Sequence, residues 1–348
     1  MSNQTTKPTH QPEIDTRALP KQSIWRRSLG SRAAFVLIID LLLILFFTGL
    51  SENNIFLSAA NFRSMVLNGT ELLLLALGLS VLLGAGEFDL SLGSNLVLSS
   101  VVGANAMVAV RDSQSVFVTI LCGLLACVAT GMLFGLANGL LIAYARINSL
   151  IATLGTLGIG MGLALLFSSN GQDITGFPIE LQSGFGLNRV VGIPAPAFLA
   201  LLIAILLWSI ITHTRFGRHT LAIGSSSVAA SRAGLRVEPH LVRLTVLAGG
   251  LAGLAGFVDL ARFQTTVISG HSNDALLAVT AAVLGGTLLE GGRVSILGTI
   301  GGVALIMILR SGLVIAGIFS SYQLIVVGSV LIIAVGLDRF SAHQRATA

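Results

Sequence analysis

Ten long apolar runs, separated by short polar segments, constrain the fold of this chain more than any other feature. They lie near 33–50, 62–85, 92–110, 116–143, 149–168, 195–213, 241–260, 274–289, 294–315 and 320–337. About 20 apolar residues can cross the hydrocarbon core as a helix, and lipid offers no partner to the backbone of an open strand. The sequence therefore predicts an all-α integral membrane protein with about ten transmembrane helices. The eighth run is short, which is also compatible with a broken or partial span.

Composition and charge agree with this class and predict an orientation. Hydrophobic residues make up 54% of the 348 residues and charged residues only 10%, whereas soluble domains carry about 25% charged residues. With the N-terminus inside, the inner segments hold fifteen Lys and Arg residues and the outer segments four. Because positive residues concentrate in cytoplasmic loops, we expect both termini inside and an even number of spans.

Residues 1–32 form a polar tail, and residues 33–340 form the predicted transmembrane domain. Trp25 beside Arg26 and Arg27 predicts either a short interfacial helix or a plain positive flank. We expect no cleaved signal peptide, because the polar leader is long and the run that follows can span the membrane.

The sequence lacks the residues that several classes of function require. The two lysines, Lys7 and Lys21, lie in the tail, so no P-loop lysine can reach a phosphate. The six histidines show neither zinc-ligand spacing nor a nucleophile–base arrangement, and no basic patch with interleaved aromatic residues predicts nucleic-acid binding. We therefore expect no catalytic residue, no metal site and no cofactor in this chain.

Two polar, glycine-rich turns join predicted spans on the inner side. In the segment 84–94, Ser91 either caps the next helix of a tight turn, or the segment forms an element near a pathway gate. The segment 285–299 also carries the charges Glu290 and Arg293, and its Leu-Gly-Thr ending resembles those at 92–94 and 154–156, which hints at internal duplication. The candidate gate and turn residues are Asp89, Ser91, Gly93, Ser94, Gly285, Gly286 and Gly298.

Polar groups inside the apolar runs are candidates for a solute pathway, because a charge at membrane depth is costly. Glu71, with Asn68 in the same run, lines a pathway or forms a pair within the bundle. Asn138 adds a polar group at the inner end of its run, and Asp40 and Arg310 also lie within runs.

Small residues predict close helix packing on two faces. Gly131, Gly135 and Gly139 share one helix face, and a second face runs through 248–256. In lipid, such faces let helix backbones approach closely.

The longest predicted inner loop, 214–240, contains a short helix from Val228 to Ala233 that stops at Gly234. An exposed small-residue helix suits docking into a cleft on another protein. The alternative is a basic anchor on the inner leaflet.

Together these motifs resemble the permease subunits of ribose/xylose/galactose-class ATP-binding-cassette (ABC) sugar importers. The family's GGIDLSVGS is similar to GEFDLSLGS at 86–94, and its GLxNGxLxAxxxxxxFIxTLGT is similar to 135–156. Its TRFGRxxxAIGGNxxAARLSGI and GGTSLxGGRGSxLGT are similar to 214–235 and 285–299. The matches follow the family's order and cover most of the chain after residue 55.

The resemblance implies a permease subunit of the bacterial inner membrane that is not itself an enzyme. It implies alternating-access import of a monosaccharide or related small polar solute. The implied partners are ABC ATPase subunits that bind ATP and Mg²⁺, a periplasmic sugar-binding protein, and a second permease copy or a paralogue. By similarity, the ATPase-coupling loop comprises Gly224, Val228, Ala229, Ala230, Arg232 and Gly234. Ser225, Ser226 and Val228 depart from the family's Gly-Asn-Glu, which predicts a preference for a particular ATPase.

Charge placement adds one expectation and leaves two alternatives. Arg63, Arg111 and Arg189 lie in predicted outer segments and could pair with acidic residues of the binding protein. An ion-coupled secondary transporter would need Asp40 and Glu71 as coupling carboxylates. A membrane-embedded enzyme would need an acid, base or metal constellation, and the sequence shows none.

Overall fold

The computed structural model describes residues 31–168, 171–271 and 273–319, and beyond these only residues 322, 323, 325, 326, 328, 329 and 332. The predicted interfacial helix near Trp25 lies outside the described residues. Most of the tenth apolar run does so too.

The described chain is almost entirely helical. Its numbered α-helices are α1 (Ser31–Leu50), α2 (Ala59–Gly84), α3 (Leu92–Val110), α4 (Val116–Ala143), α5 (Ser149–Phe167), α6 (Ala195–His213), α7 (Arg215–Ser225), α8 (Ser227–Arg232), α9 (Val237–Phe263), α10 (Asp274–Leu284) and α11 (Ile296–Ile315). A 3₁₀-helix, Glu52–Leu57, precedes α2. Between α5 and α6 lie a helical turn (Ile179–Leu181), a π-helical turn (Gln182–Gly186) and the antiparallel two-residue strands β1 (Arg189–Val190) and β2 (Ile193–Pro194).

Within the described residues, seven helices are long and apolar enough to cross a membrane: α2, α3, α4, α5, α6, α9 and α11. Helix α1 is apolar over Ala34–Leu50. The prediction of an all-α integral membrane protein is therefore confirmed, while the total of ten spans and the inner location of both termini stay predictions.

The eighth apolar run forms a partial helix. Helix α10 has 11 residues, which is about 16 Å at 1.5 Å per residue, against a hydrocarbon core of about 30 Å. It starts beside Glu71, at the middle of α2, because His271 in the preceding loop lies within reach of Glu71 and Asp259. His271 thus lies at the depth of Glu71, as does Arg262 in the last turn of α9, and α10 begins there as a partial span, as the broken-span alternative predicted.

The two predicted small-residue faces pack against each other. A Cβ atom on Gly131 of α4 would clash with the backbone of Gly249 and Gly253 on α9. Gly135 likewise faces the backbone of Thr245. Backbones in direct contact bury surface through van der Waals packing, which is how helices associate in lipid.

Helix α2 lies at the centre of the bundle. All its residues from Gly69 to Gly84 except Leu73 are buried. By contrast, α1, α5 and α6 leave large apolar side chains exposed, among them Phe35, Ile151 and Leu202. Such side chains suit contact with lipid, so polar groups that reach α2 are enclosed by protein.

Candidate functional site

A polar cavity of about 500 Å³ lies between α2, α9, α10 and α11. Its lining combines hydrogen-bonding and charged side chains with apolar ones such as Met65, Leu277 and Met307. The polar lining consists of Asn61, Ser64, Asn68, Glu71, Arg262, His271, Asp274, Arg310, Ser311 and Gln323.

One face of α2 forms a wall of this cavity. Asn61, Ser64, Asn68 and Glu71 recur at intervals of three and four residues, which places them on the same side of the helix. Ser64 and Asn68 are exposed, whereas Glu71 is buried. The wall therefore runs from the start of α2 to a buried carboxylate half way along the helix.

Arg262, in the last turn of α9, ties this wall to the floor of the cavity. Its Nη1 donates to Glu71 Oε1 at 3.4 Å, and its Nη2 donates to Asn68 Oδ1. The guanidinium also lies 4.5 Å from the ring centroid of Phe263. Although Arg262 follows the apolar run 241–260, it lies within a helix and bonds to a buried carboxylate.

The floor of the cavity is a histidine held between two carboxylates. His271 Nδ1 lies 2.7 Å from Asp274 Oδ2, and His271 Nε2 lies 3.2 Å from Asp259 Oδ1. Asp259 is fully buried, and its Oδ2 has no hydrogen-bond partner among the described residues. We call Glu71, Asp259, Arg262, His271 and Asp274 the floor cluster.

The structure brings two of the three predicted pathway candidates, Asn68 and Glu71, to the cavity, and their transport role stays a prediction. Arg310 also lines the cavity. Asp40 does not: it is buried on α1 near Gly301, and its Oδ1 has no partner among the described residues.

Sequence reasoning missed Asp259, His271 and Asp274. Asp259 carried a usable signal, since it is a charge inside the apolar run 241–260 and such charges are functional candidates. His271 and Asp274 lie between runs and look like ordinary loop residues until the loop folds back into the bundle.

The third pathway candidate, Asn138, belongs to the turn at 84–94 and not to the cavity. Its Nδ2 donates to Ser91 Oγ at 2.8 Å and to Asp89 Oδ2 at 3.2 Å. The Ser91 backbone N–H and hydroxyl both donate to Asp89 Oδ1. The prediction that Ser91 caps α3 is therefore wrong, because its side chain makes no cap hydrogen bond.

Two backbone N–H groups of the same turn attach it to α5. Phe88 N donates to Ser149 Oγ and Leu90 N donates to Thr153 Oγ1, each at 3.2 Å. Nearby, burial raises the pKa of the Glu87 carboxyl, while a hydrogen bond from Ser149 lowers it by a smaller amount. Within the turn, Ser94 Oγ donates to Ser91 O at 2.9 Å. These contacts fix the position of the turn relative to α4 and α5.

Glycines from three distant segments meet on the predicted cytoplasmic side, at what we call the inner glycine junction. Gly292 N donates to Gly84 O at 3.0 Å, and a Cβ on Gly224 would lie 2.6 Å from Gly292 N. A Cβ on Gly285 would clash with the backbone of Gly298. Gly286 has φ +90°, a conformation that glycine adopts without strain. The junction therefore joins the turns at 84–94 and 285–299 to the start of the coupling loop, and a gating role stays a prediction.

The predicted short helix in the coupling loop is confirmed, within one residue, as α8. The Ser226 side chain accepts a hydrogen bond from Ala229 N at 3.2 Å and so caps α8, and Gly234 follows it with φ +85°. Val228, Ala229, Arg232 and Gly234 are exposed, whereas Ala230 is buried. The helix thus presents a small-residue face to solvent, and its role in ATPase coupling stays a prediction.

The three arginines proposed to dock a binding protein lie at the opposite end of the bundle from α8. Arg189 is exposed on β1, and Arg63 is half-buried near the start of α2. Arg111 donates to Gly176 O and lies 3.6 Å from Asp112. Their docking role stays a prediction.

Comparison with known proteins gives matches along most of the chain. The family model described as branched-chain amino acid transport system / permease component matches residues 62–335. The ribose import permease protein of Bacillus subtilis is 37% identical over 278 residues, which cover 80% of this chain and 83% of that protein. The D-allose transport system permease protein of Escherichia coli is 33% identical, covering 75% and 80% of the two chains.

A third relative extends the alignment. The galactose/methyl galactoside import permease protein of Haemophilus influenzae is 31% identical over 85% of this chain and 91% of its own length. No solved structure matches this chain.

Proposed function

This chain belongs to the family described as branched-chain amino acid transport system / permease component, and we propose that it imports a monosaccharide or a related small polar solute. It is a transmembrane permease subunit of an ABC importer, and its relatives do not favour the ion-coupled secondary transporter. The sugar assignment rests on the relatives, which are a ribose import permease, a D-allose transport system permease and a galactose/methyl galactoside import permease.

The polar cavity is the observation that carries this proposal. A sugar presents many hydroxyl groups, each of which needs a partner when it leaves water. Asn61, Asn68 and Glu71 on α2, with Arg262 opposite, supply both donors and acceptors around about 500 Å³ of space. That volume lies within the range of small-molecule sites.

A continuous path of contacts links the proposed docking helix to the floor of the cavity. Helix α8 follows α7, whose Gly224 packs on Gly292 in the inner glycine junction. The junction also holds Gly285, the residue after α10, against Gly298. Helix α10 then runs back to Asp274 in the floor cluster. We infer that displacement of α8 moves the floor of the cavity through α10, which gives alternating access a mechanical route.

The proposed assembly follows from family membership and from the predicted orientation. ABC ATPase subunits that bind ATP and Mg²⁺ dock on α8 at the cytoplasmic side, and a periplasmic binding protein delivers the solute at the opposite side. A second permease copy or a paralogue completes the membrane part in the bacterial inner membrane. The excess of Lys and Arg in the inner segments supports this orientation.

Reconstitution tests the transport proposal. The permease is placed in proteoliposomes with its cognate ATPase and binding protein, and entry of labelled ribose, allose and galactose is measured. We expect uptake of at least one sugar that requires internal ATP and is blocked by vanadate. Uptake that stops with an uncoupler while ATP is intact would refute the ABC mechanism, and failure of all three sugars would refute the sugar class.

Neighbouring alanines of α8 provide a matched test of coupling. Ala229 is exposed and Ala230 is buried, so Ala229→Trp alters only the docking face, whereas Ala230→Trp overpacks the protein. We expect Ala229→Trp to keep the thermal unfolding midpoint and to abolish uptake while ATPase activity continues. Normal uptake by that variant would remove α8 from the coupling mechanism.

A further inference from the structure

We propose that the floor cluster binds a divalent first-row transition-metal ion through His271, Asp259 and Glu71. One potential ligand atom from each of these residues lies within 4.8 Å of the other two. All three residues are buried, and they come from α2, α9 and the loop before α10. The sequence predicted no metal site because the histidines show no zinc-ligand spacing and the three proposed ligands come from separate segments of the chain.

The histidine has the support that a metal ligand requires. Asp274 Oδ2 lies 2.7 Å from His271 Nδ1, so the carboxylate can hold the Nδ1 proton and leave Nε2 with its lone pair. A carboxylate on the outer nitrogen of a metal-binding histidine is the usual arrangement, because it fixes the tautomer and the ring orientation. His271 Nε2 points toward Asp259, where the ion would lie.

The spacing of the donors fits a metal ion. His271 Nε2 and Asp259 Oδ1 are 3.2 Å apart. Two ligands at about 2.1 Å from one ion, at tetrahedral or octahedral angles, are separated by roughly 3.0–3.4 Å. Glu71 Oε1 accepts from Arg262 Nη1 at 3.4 Å, so the second carboxylate oxygen of Glu71 is available to turn toward the site.

An unpartnered atom adds to the donor spacing as a sign of a cation. Asp259 is fully buried, yet its Oδ2 has no hydrogen-bond partner among the described residues, and such an atom is costly unless it is satisfied. When His271 binds the ion as a neutral imidazole, the carboxylates of Glu71, Asp259 and Asp274 carry two more negative charges than Arg262 neutralises. A divalent ion balances these charges at membrane depth, where an unbalanced charge is expensive.

The donor set and the cavity indicate the class of ion and its route of entry. An imidazole nitrogen with two carboxylate oxygens suits Mn²⁺ or Zn²⁺ better than an all-oxygen ion such as Mg²⁺. Glu71 and His271 both line the polar cavity, so an ion and its remaining water ligands can reach the site from there.

Direct binding of the metals tests this proposal without any transport assay. The full-length permease is purified in detergent, stripped with EDTA, and titrated by calorimetry with MnCl₂ alone and with ZnCl₂ alone. We expect saturable binding of one ion per chain for at least one of the two metals. Asp274→Asn removes the partner that supports His271 and should weaken metal affinity by roughly 10–100-fold. His271→Gln and Asp259→Asn remove ligands and should each weaken the affinity by at least as much.

Glu180→Gln is the matched control, because Glu180 is exposed and outside the cavity, and it should bind as the wild type does. Size-exclusion profiles and metal-free unfolding midpoints show whether each variant is folded. Absence of saturable binding to the wild-type chain would overturn the proposal, whatever the variants do. Binding that the folded His271→Gln and Asp259→Asn variants retain at full affinity would overturn it as well.

Discussion

The polar cavity and the inner glycine junction are built on opposite physical principles. In the cavity, α2, α9 and α10 are held apart, and charged side chains span the gap, as Arg262 does between Asn68 and Glu71. In the junction, the side chains are absent and backbones touch, as at Gly285 and Gly298. Both regions lie on the same helices, since α2 and α10 each have one part in the cavity and the other in the junction.

The two regions therefore differ in the substitutions that they tolerate. A close backbone contact fails sterically with a single added methyl group, because packed interiors have almost no free space. A charged network in a cavity fails when one partner is removed and leaves the other buried and unpaired. Substitutions can therefore distinguish the two regions. Those in the junction should show mainly as lower stability, and those in the cavity as lost uptake and as coupling between paired charges.

The largest expected effect is that of Gly285→Ala in the junction. The added Cβ would clash with the backbone of Gly298, and overpacking of this kind costs up to about 3 kcal/mol. The φ of Gly285 is −66°, so alanine is conformationally allowed and the cost is purely steric. The thermal unfolding midpoint in detergent should fall and uptake should be lost.

Gly158→Ala is the control for this steric effect. Nothing lies within 4 Å of a Cβ on Gly158, and alanine in a helix is favoured over glycine by roughly 0.5–1 kcal/mol. Its midpoint should stay the same or rise. If both variants melt alike, the junction is not the tight contact described above.

The next effect in size is that of Arg262→Met in the cavity. The side chain of Arg262 is 16% exposed and that of Glu71 is 7% exposed, so the variant strands a nearly buried carboxylate. We expect a loss of about 2–3 kcal/mol in unfolding free energy, somewhat less than for a fully buried pair, together with loss of uptake. Chemical denaturation of the purified permease measures the first quantity.

A double-mutant cycle sharpens the result. Glu71→Gln in the Arg262→Met background removes the stranded charge, so part of the stability should return while uptake stays impaired. Arg63→Met, on the same helix as Glu71 and outside the lining of the cavity, should have less than half the effect on stability. Additive effects of the Glu71 and Arg262 substitutions would show that the two side chains do not interact.

The smallest expected effect is that of Asp40→Asn. Asp40 is buried on α1 outside the cavity, and its Oδ1 has no partner among the described residues. An amide removes a buried ionisable group that has no compensating charge among the described residues, so stability should stay within about 1 kcal/mol or increase. Labelled sugar uptake should be unchanged, whereas a loss comparable to that of Arg262→Met would extend the functional site to α1.

The same contrast explains how much of the molecule could be predicted from its sequence. The helices, the partial eighth span, α8 and the glycine faces could be predicted, because hydropathy and glycine spacing are patterns within a single segment of the chain. Asn68 and Glu71 were found because they lie inside an apolar run. Their partners were not, because Arg262 follows the apolar run 241–260 and His271 reaches the cavity through the path of the chain after α9, which no local pattern encodes.

The turn at 84–94 shows the limit within a single motif. The sequence identified Asp89 and Ser91, and it assigned Ser91 to a helix cap because a serine precedes α3. The structure instead directs the Ser91 hydroxyl to Asp89, with Asn138 of α4 as the third member. The Ser91 oxygen accepts from Asn138 Nδ2 and makes no cap hydrogen bond with a backbone N–H of α3, and Asn138 lies 47 positions away along the chain.

We expect the solute to occupy the polar cavity. A cysteine placed at position 68 tests this, because bound solute should protect its thiol from modification. Asn68 is exposed in the cavity wall, and Asn68→Cys in a Cys122→Ser, Cys127→Ala background provides a single thiol. Its modification rate by a charged methanethiosulfonate reagent is measured in proteoliposomes with and without the transported sugar. If solute occupies the cavity, the sugar slows modification of the thiol, and modification blocks uptake. Equal rates with and without sugar, together with normal uptake after complete modification, would contradict it.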